Sequence, residues 1–212
     1  MDQERTDWEK AVEFHGHSCP GLASGYRAAK AALRALGVGG RAADEELIAI
    51  AETDSCGVDA VQVVTGCTAG KGNLFFRDYG KHAYTIGRRS DGRAVRVVVK
   101  DLGRHQGGLS VGQGAGPKPD ELRSKVMAGQ ARPEEEEQYR KLQAERVQRI
   151  LEMPEEEICQ IQEVKLDFPD KARIFSSVTC ARCGEKVMEP RARVRDGQIV
   201  CIPCSELYER RW

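Results

Sequence analysis

Cys180, Cys183, Cys201 and Cys204 follow the pattern C-x2-C-x17-C-x2-C. Each CxxC turn places two sulfurs on one side of a tight bend. Two such turns supply the four thiolates that a structural zinc takes as a tetrahedron. Gly184, just after the first pair, suits the sharp backbone of a zinc knuckle. With four thiolates no position is open for water or substrate, so this cluster points to folding rather than catalysis. Redox chemistry at a CxxC pair is the alternative, and four cysteines at metal spacing favour the metal.

A second set of residues is richer in chemistry. It comprises His15-Gly16-His17-Ser18-Cys19-Pro20-Gly21 and Glu52-Thr53-Asp54-Ser55-Cys56-Gly57-Val58-Asp59. In an extended turn, side chains i and i+2 point the same way, so His15 and His17 can face one ion. Cys19 precedes a predicted helix, whose N-terminus favours the thiolate. Cys56 does the same. Asp54 and Asp59 beside it are candidate ligands, or carboxylates that orient a histidine. Cys56 with His15 or His17 is the first choice of metal pair, with Cys19, Cys67 or Asp59 assisting. If the chain is an enzyme, Cys56, His17 and Asp59 are the candidate catalytic residues. They would use a metal-activated water or a thiolate nucleophile.

The loop Gly66-Cys67-Thr68-Ala69-Gly70-Lys71-Gly72 has three residues between its first two glycines and glycine after the lysine. A nucleoside-triphosphate loop needs four residues there and Ser or Thr after the lysine, so that function is excluded. What remains is a backbone nest for an anionic group, with Lys71 and Cys67 as candidate cofactor-binding residues, or a plain tight loop. A helix over Asp59 to Thr65 would hold Cys56 and Cys67 roughly 12–16 Å apart. They could not then share an ion within one protomer. Cys67 would serve another edge of the pocket or another protomer's site. Cys159 lies in an apolar run and reads as packing. His82 and His105 have no metal-ligating company nearby.

Helices are expected over Thr6 to Phe14 and Pro20 to Leu36, the second capped by Ser18 and closed by Gly37. Glu46 to Glu52 reads as a buried strand, and Asp59 to Thr65 as a helix. Ala83 to Arg88 and Ala94 to Lys100 flank Asp91-Gly92, a hairpin signal. Leu74 to Phe76 adds a strand, and residues 103–119 read as a loop. Pro133 to Met153, with a thin apolar stripe, reads as a long exposed helix linking two parts. Ile158 to Phe168 alternates as a strand does. In the cysteine-rich tail, Arg191 to Arg195 and Gln198 to Val200 form a hairpin about Asp196-Gly197. Ser205 to Arg211 is helical in character.

Three motifs, HGHSCPG, ETDSCGVDAVQ and TGCTAGKGN, resemble those of the formylmethanofuran dehydrogenase E-subunit (FmdE) family, in order and over about residues 6 to 130. Some members of that family carry a C-terminal treble-clef zinc finger, which the cysteine pairs here match. The resemblance implies an α+β core, often dimeric, with a metal-capable cleft built from His15, His17, Cys19, Cys56, Asp59 and Cys67. It also implies a link to a molybdenum- or tungsten-dependent oxidoreductase of C1 metabolism.

The whole reading is an α+β protein in which a mixed helix and sheet core, residues 1–130, leads through a helical linker and strand, 131–170, to a treble-clef zinc finger, 171–212. The finger zinc is structural, and a second transition metal belongs to the core. The 212-residue chain balances 33 Lys and Arg against 33 Asp and Glu, so no global field draws it to nucleic acid or an anionic membrane. Residues 171–212 carry nine basic against five acidic residues, which permits only weak nucleic-acid contact. The charged N-terminus and the lack of a long apolar run predict a cytoplasmic protein. A homodimer and an oxidoreductase partner are expected. The other reading is a regulatory module, its finger docking a protein or nucleic acid and its core sensing a metal or small ligand. A third is metal storage or delivery.

Overall fold

The computed structural model describes residues 5–101 and 119–205. His105, most of the glycine-rich loop and all but the first residue of the expected C-terminal helix lie outside the described residues. The chain divides into two compact units, Met1–Lys171 and Ala172–Trp212.

The first unit begins with α1 (Asp7–His15), where Thr6 and Glu9 form a capping box. The next helix, α2 (Pro20–Leu36), is capped by Cys19 rather than Ser18. Pro20 occupies the first helical position, where its missing N–H has no partner to lose, and this moves the cap to the residue before it. Then follow β1 (Leu47–Ala51), α3 (Gly57–Thr65), β2 (Leu74–Phe76), β3 (Ala83–Arg88), β4 (Ala94–Val99), α4 (Pro119–Met127), α5 (Pro133–Glu152), the single turn α6 (Glu155–Ile158) and β5 (Cys159–Val164).

The sheet order is β2-β1-β3-β4-β5, with β1 and β2 parallel and the other neighbours antiparallel. Period-two alternation decides its helix-facing side. Leu47, Ala49 and Ala51 of β1, Tyr84 and Ile86 of β3, and Val95, Val97 and Val99 of β4 share one core with α2 and α3. Small residues on α2 (Ala23, Ala28, Ala29, Ala32) let it lie close. A Cβ on Gly25 would stand 2.3 Å from the Gly57 Cα, so the two helices touch glycine to glycine.

Residues 131–170 contribute to this same unit. Val147 and Ile150 of α5 are buried in its core. Arg27 of α2 donates to the carbonyl oxygens of Ile150, Leu151 and Met153 at 2.8, 2.6 and 2.6 Å, satisfying groups that a helix end leaves open. β5 pairs with β4 from Val99↔Cys159 to Ala94↔Val164 and stops where β4 offers no further partner, four residues short of the expected Phe168. Leu166 and Phe168 lie over Gly87 instead. A Cβ there would be 2.8 Å from either side chain.

The second unit has two short hairpins. β6 (Ser177–Thr179) pairs with β7 (Lys186–Met188), and β8 (Arg193–Arg195) pairs with β9 (Gln198–Val200) about Asp196-Gly197. A 3-10 turn, Ile202–Cys204, follows.

Candidate metal centres

In the second unit the four cysteine sulfurs lie within 4.8 Å of one another. Cys180 and Cys201 are buried, and Cys183 Sγ is 3.8 Å from Cys201 Sγ. The backbone amides of Cys183 and Cys201 hold the Cys180 thiol down at about 6. Contact with Cys201 and then Cys183 pushes Cys204 up to about 12. Four sulfurs so close repel as thiolates, and a dication relieves that repulsion.

The other centre is built where α1 gives way to α2. Gly16, at φ +86°, closes α1 in the left-handed region, where glycine alone carries no Cβ penalty. That turn brings His17 back beside His15, their ring centroids 4.5 Å apart. Cys19 caps α2, its Sγ accepting the Leu22 N–H at 3.4 Å. Ligand atoms of His15, His17 and Cys19 all lie within 4.8 Å of one another. His15 Nδ1 is 2.7 Å from Asp59 Oδ2, while its Nε2 lies 3.9 Å from Cys19 Sγ. A proton on Nδ1, held by the carboxylate, leaves the Nε2 lone pair for an ion. Gln62 Nε2 donates to the other Asp59 oxygen at 3.3 Å.

Cys56 stands beside this group, next to Gly21, at the start of α3, which it caps without a side-chain bond. Burial, and then the neighbouring Cys19 thiol, raise its pKa. A Cβ on Gly21 would stand 3.9 Å from both sulfurs, so the two thiols flank Gly21. Three segments therefore meet: the α1–α2 link, the start of α2 and the start of α3.

A family model described as FmdE, Molybdenum formylmethanofuran dehydrogenase operon, matches residues 14–160. The chain belongs to the FmdE family. A second model, the prokaryotic dksA/traR C4-type zinc finger, matches residues 173–210. The chain is 36% identical over 203 residues to a probable S-adenosyl-L-methionine-binding protein of Archaeoglobus fulgidus. That match takes in 94% of this chain and 52% of the relative, so the chain spans about half the length of that protein. The crystal structure of a tungsten formylmethanofuran dehydrogenase FmdE-like protein from Syntrophus aciditrophicus superposes with a TM-score of 0.59 at 26% identity, covering 93% of this chain and 91% of that one. Together these describe an FmdE core followed by a C4-type zinc finger. Among the described residues, no helix is long and apolar enough to cross a membrane.

Other sequence candidates lie elsewhere in the FmdE core. Cys67 is fully buried beyond the far end of α3, its thiol pushed up by burial. Lys71 donates to the Asp44 carbonyl oxygen at 3.0 Å. The loop between α3 and β2 uses its amides internally: Thr68 N–H on Asn73 Oδ1, Lys71 N–H on Thr68 Oγ1 and Gly72 N–H on the Ala69 carbonyl. It is held as a tight turn around buried Asn73. Asp54 is exposed, and Cys159 is buried as expected. Sequence reasoning missed Tyr84. In a strand it reads as core, yet its hydroxyl reaches Gly57, where a Cβ would stand 2.2 Å from it. It also missed the Glu52–Arg96 pair, two bonds at 2.6 and 2.7 Å between β1's end and β4.

Proposed function

We propose that the FmdE core holds one divalent transition-metal ion through His15, His17, Cys19 and Cys56. The chain would act in the cytoplasm as a metalloprotein linked to molybdenum- or tungsten-dependent formylmethanofuran dehydrogenase chemistry. The observation that carries this reading is the juxtaposition of His15, His17 and Cys19 with Asp59 on the far nitrogen of His15. Mixed imidazole and thiolate donors suit zinc, iron or nickel. When bound, such an ion supplies Lewis acidity or a water of lowered pKa. Asp59 fixes the tautomer and direction of His15. His17 and Cys56 are the side chains that would meet a substrate, Cys56 as a ligand or a nucleophile.

The operon description and the solved relative support the link to C1 chemistry. A homodimer, and an oxidoreductase partner, belong to the same proposal, as does a treble-clef form for the finger with its structural zinc. The name of the Archaeoglobus fulgidus relative adds S-adenosyl-L-methionine to the ligands worth titrating. The test is to purify tagged full-length chain from its own cells and measure molybdenum and tungsten in the eluate. Either metal above an untagged control supports the link, and neither counts against the oxidoreductase partner.

A second reading makes the finger a docking module. It is favoured by the β8–β9 hairpin, where Val194 is 78% exposed beside exposed Arg193. Nucleic-acid affinity falling steeply with salt would support it, and a flat response would remove that ligand class.

A further inference from the structure

Cys56 begins α3 without a side-chain cap, and the turn that leads to it from β1 has exposed Asp54 and Ser55 on its outer side. Within that turn Thr53 Oγ1 accepts the Ser55 N–H at 3.2 Å and donates to the Ser55 hydroxyl oxygen at 3.1 Å. The first turn of α3 is tied to it in turn. The Val58 N–H donates to the Ser55 carbonyl oxygen at 2.9 Å, and the Asp59 N–H to that of Cys56 at 3.2 Å. A shift of residues 53–57 would therefore move both Cys56 and Asp59, the carboxylate that holds His15.

Tyr84 stands behind the turn. It lies in β3 between Ala51, the last residue of β1, and Val97 of β4, so its backbone belongs to the interior of the sheet. The residue is 1% exposed, and the His82 ring meets its ring edge-on with centroids 5.8 Å apart. Its hydroxyl oxygen is packed against Gly57, 2.2 Å from where a Cβ would be. The same Cβ would stand 3.1 Å from the Gly25 Cα and 3.2 Å from the Gly21 carbonyl oxygen, so Gly57 is held between Tyr84 and α2. Burial pushes the Tyr84 phenol up, and the Ser55 hydroxyl is the side chain that acts against it. Phenylalanine would fill the same core without the cost of desolvating a hydroxyl.

We propose that Tyr84 is a positioning residue for the core centre, its hydroxyl setting residues 53–57 and with them the direction of Cys56 and the place of Asp59. It acts through Ser55 and Gly57, the neighbours of Cys56 on either side. The proposal rests on reading Cys56 as a working residue beside His15, His17 and Cys19.

The test compares Tyr84→Phe with the native full chain, both loaded with cobalt(II). The variant keeps the ring and loses only the hydroxyl. The finger cancels in the difference spectrum. The sulfur-to-cobalt charge-transfer band of the core should weaken, and cobalt affinity there should fall about tenfold, as on loss of an orienting partner. Ser55→Ala, a change at an exposed position, should do the same and carries the test if Tyr84→Phe does not fold. The double variant should lose no more than either single one, since both act on one turn. Native band and affinity in the folded variants, or a change confined to their urea midpoints, would make Tyr84 a packing residue and overturn the proposal. If the core takes no cobalt, the metal reading fails and iodoacetamide alkylation, followed by peptide mass, decides the positioning role by itself. Cys56 should then react several-fold faster in Tyr84→Phe than in the native chain, with buried Cys159 unchanged. Equal Cys56 rates would overturn the positioning role as well.

Discussion

His15 and Asp59 stand 44 residues apart in the chain and 2.7 Å apart in space, imidazole Nδ1 to carboxylate Oδ2. The contact joins the end of α1 to the first turn of α3, and it turns the free nitrogen of His15 toward Cys19. Asp59→Asn keeps the shape and removes the charge that holds the proton on Nδ1. Loss of such a partner weakens metal binding about 10- to 100-fold. Competition against a calibrated chelator should show that loss at the core ion and none at the finger. Equal affinity in the variant would mean that Asp59 does not orient the ligand.

The Glu52–Arg96 pair makes stability depend on pH. Arg96 holds the Glu52 carboxyl below its ordinary value of 4.5. A depressed folded-state pKa contributes stability that is full above the unfolded value and is lost as pH falls through 4.5 toward the folded one. Glu52→Gln should lower stability by about 1–3 kcal/mol at pH 7 and leave a shallower acid dependence. Urea melts of both proteins at pH 7 and near pH 4 compare the two slopes.

Gly57 is a packing position with a specific opponent. Gly57→Ala drives a methyl to within 2.2 Å of the Tyr84 hydroxyl oxygen and 3.1 Å of the Gly25 Cα. A loss of about 1–3 kcal/mol is expected from overpacking. Adding Tyr84→Phe should recover part of it, and a double-mutant cycle in urea measures the coupling. Strictly additive losses would say that the clash is relieved elsewhere.

Arg27→Met removes the donor to three carbonyl oxygens at the end of α5. The variant should lose about 1–3 kcal/mol. Hydrogen exchange should show α5 opening ahead of the sheet.

How legible all this was depended on distance along the chain. The finger and the His15–Cys19 group are short segments whose spacing alone sets geometry, because a turn of two or three residues leaves few placements. Asp59 was legible as a carboxylate able to orient a histidine, since it follows Cys56 on a predictable helix. Tyr84 carried no such signal. Its role arises from glycine contacts between α2 and α3, and an aromatic residue in an alternating strand looks the same whether or not its hydroxyl meets a site. The thin stripe on α5 looked like a solvent-exposed connector. Arg27, more than a hundred residues earlier, is what docks its end. The strand expected to reach Phe168 ended at Val164 because only the six residues of β4 were there to pair with it.

The most direct test of the central claim is metal content per chain by elemental analysis, on the full chain and on the His15→Ala/His17→Ala variant. Two equivalents in the native chain and one in the variant are expected, the survivor being the ion held by Cys180, Cys183, Cys201 and Cys204. A single equivalent unchanged by the double substitution would contradict a core metal and leave His15, His17, Cys19 and Cys56 as a thiol and imidazole site without an ion.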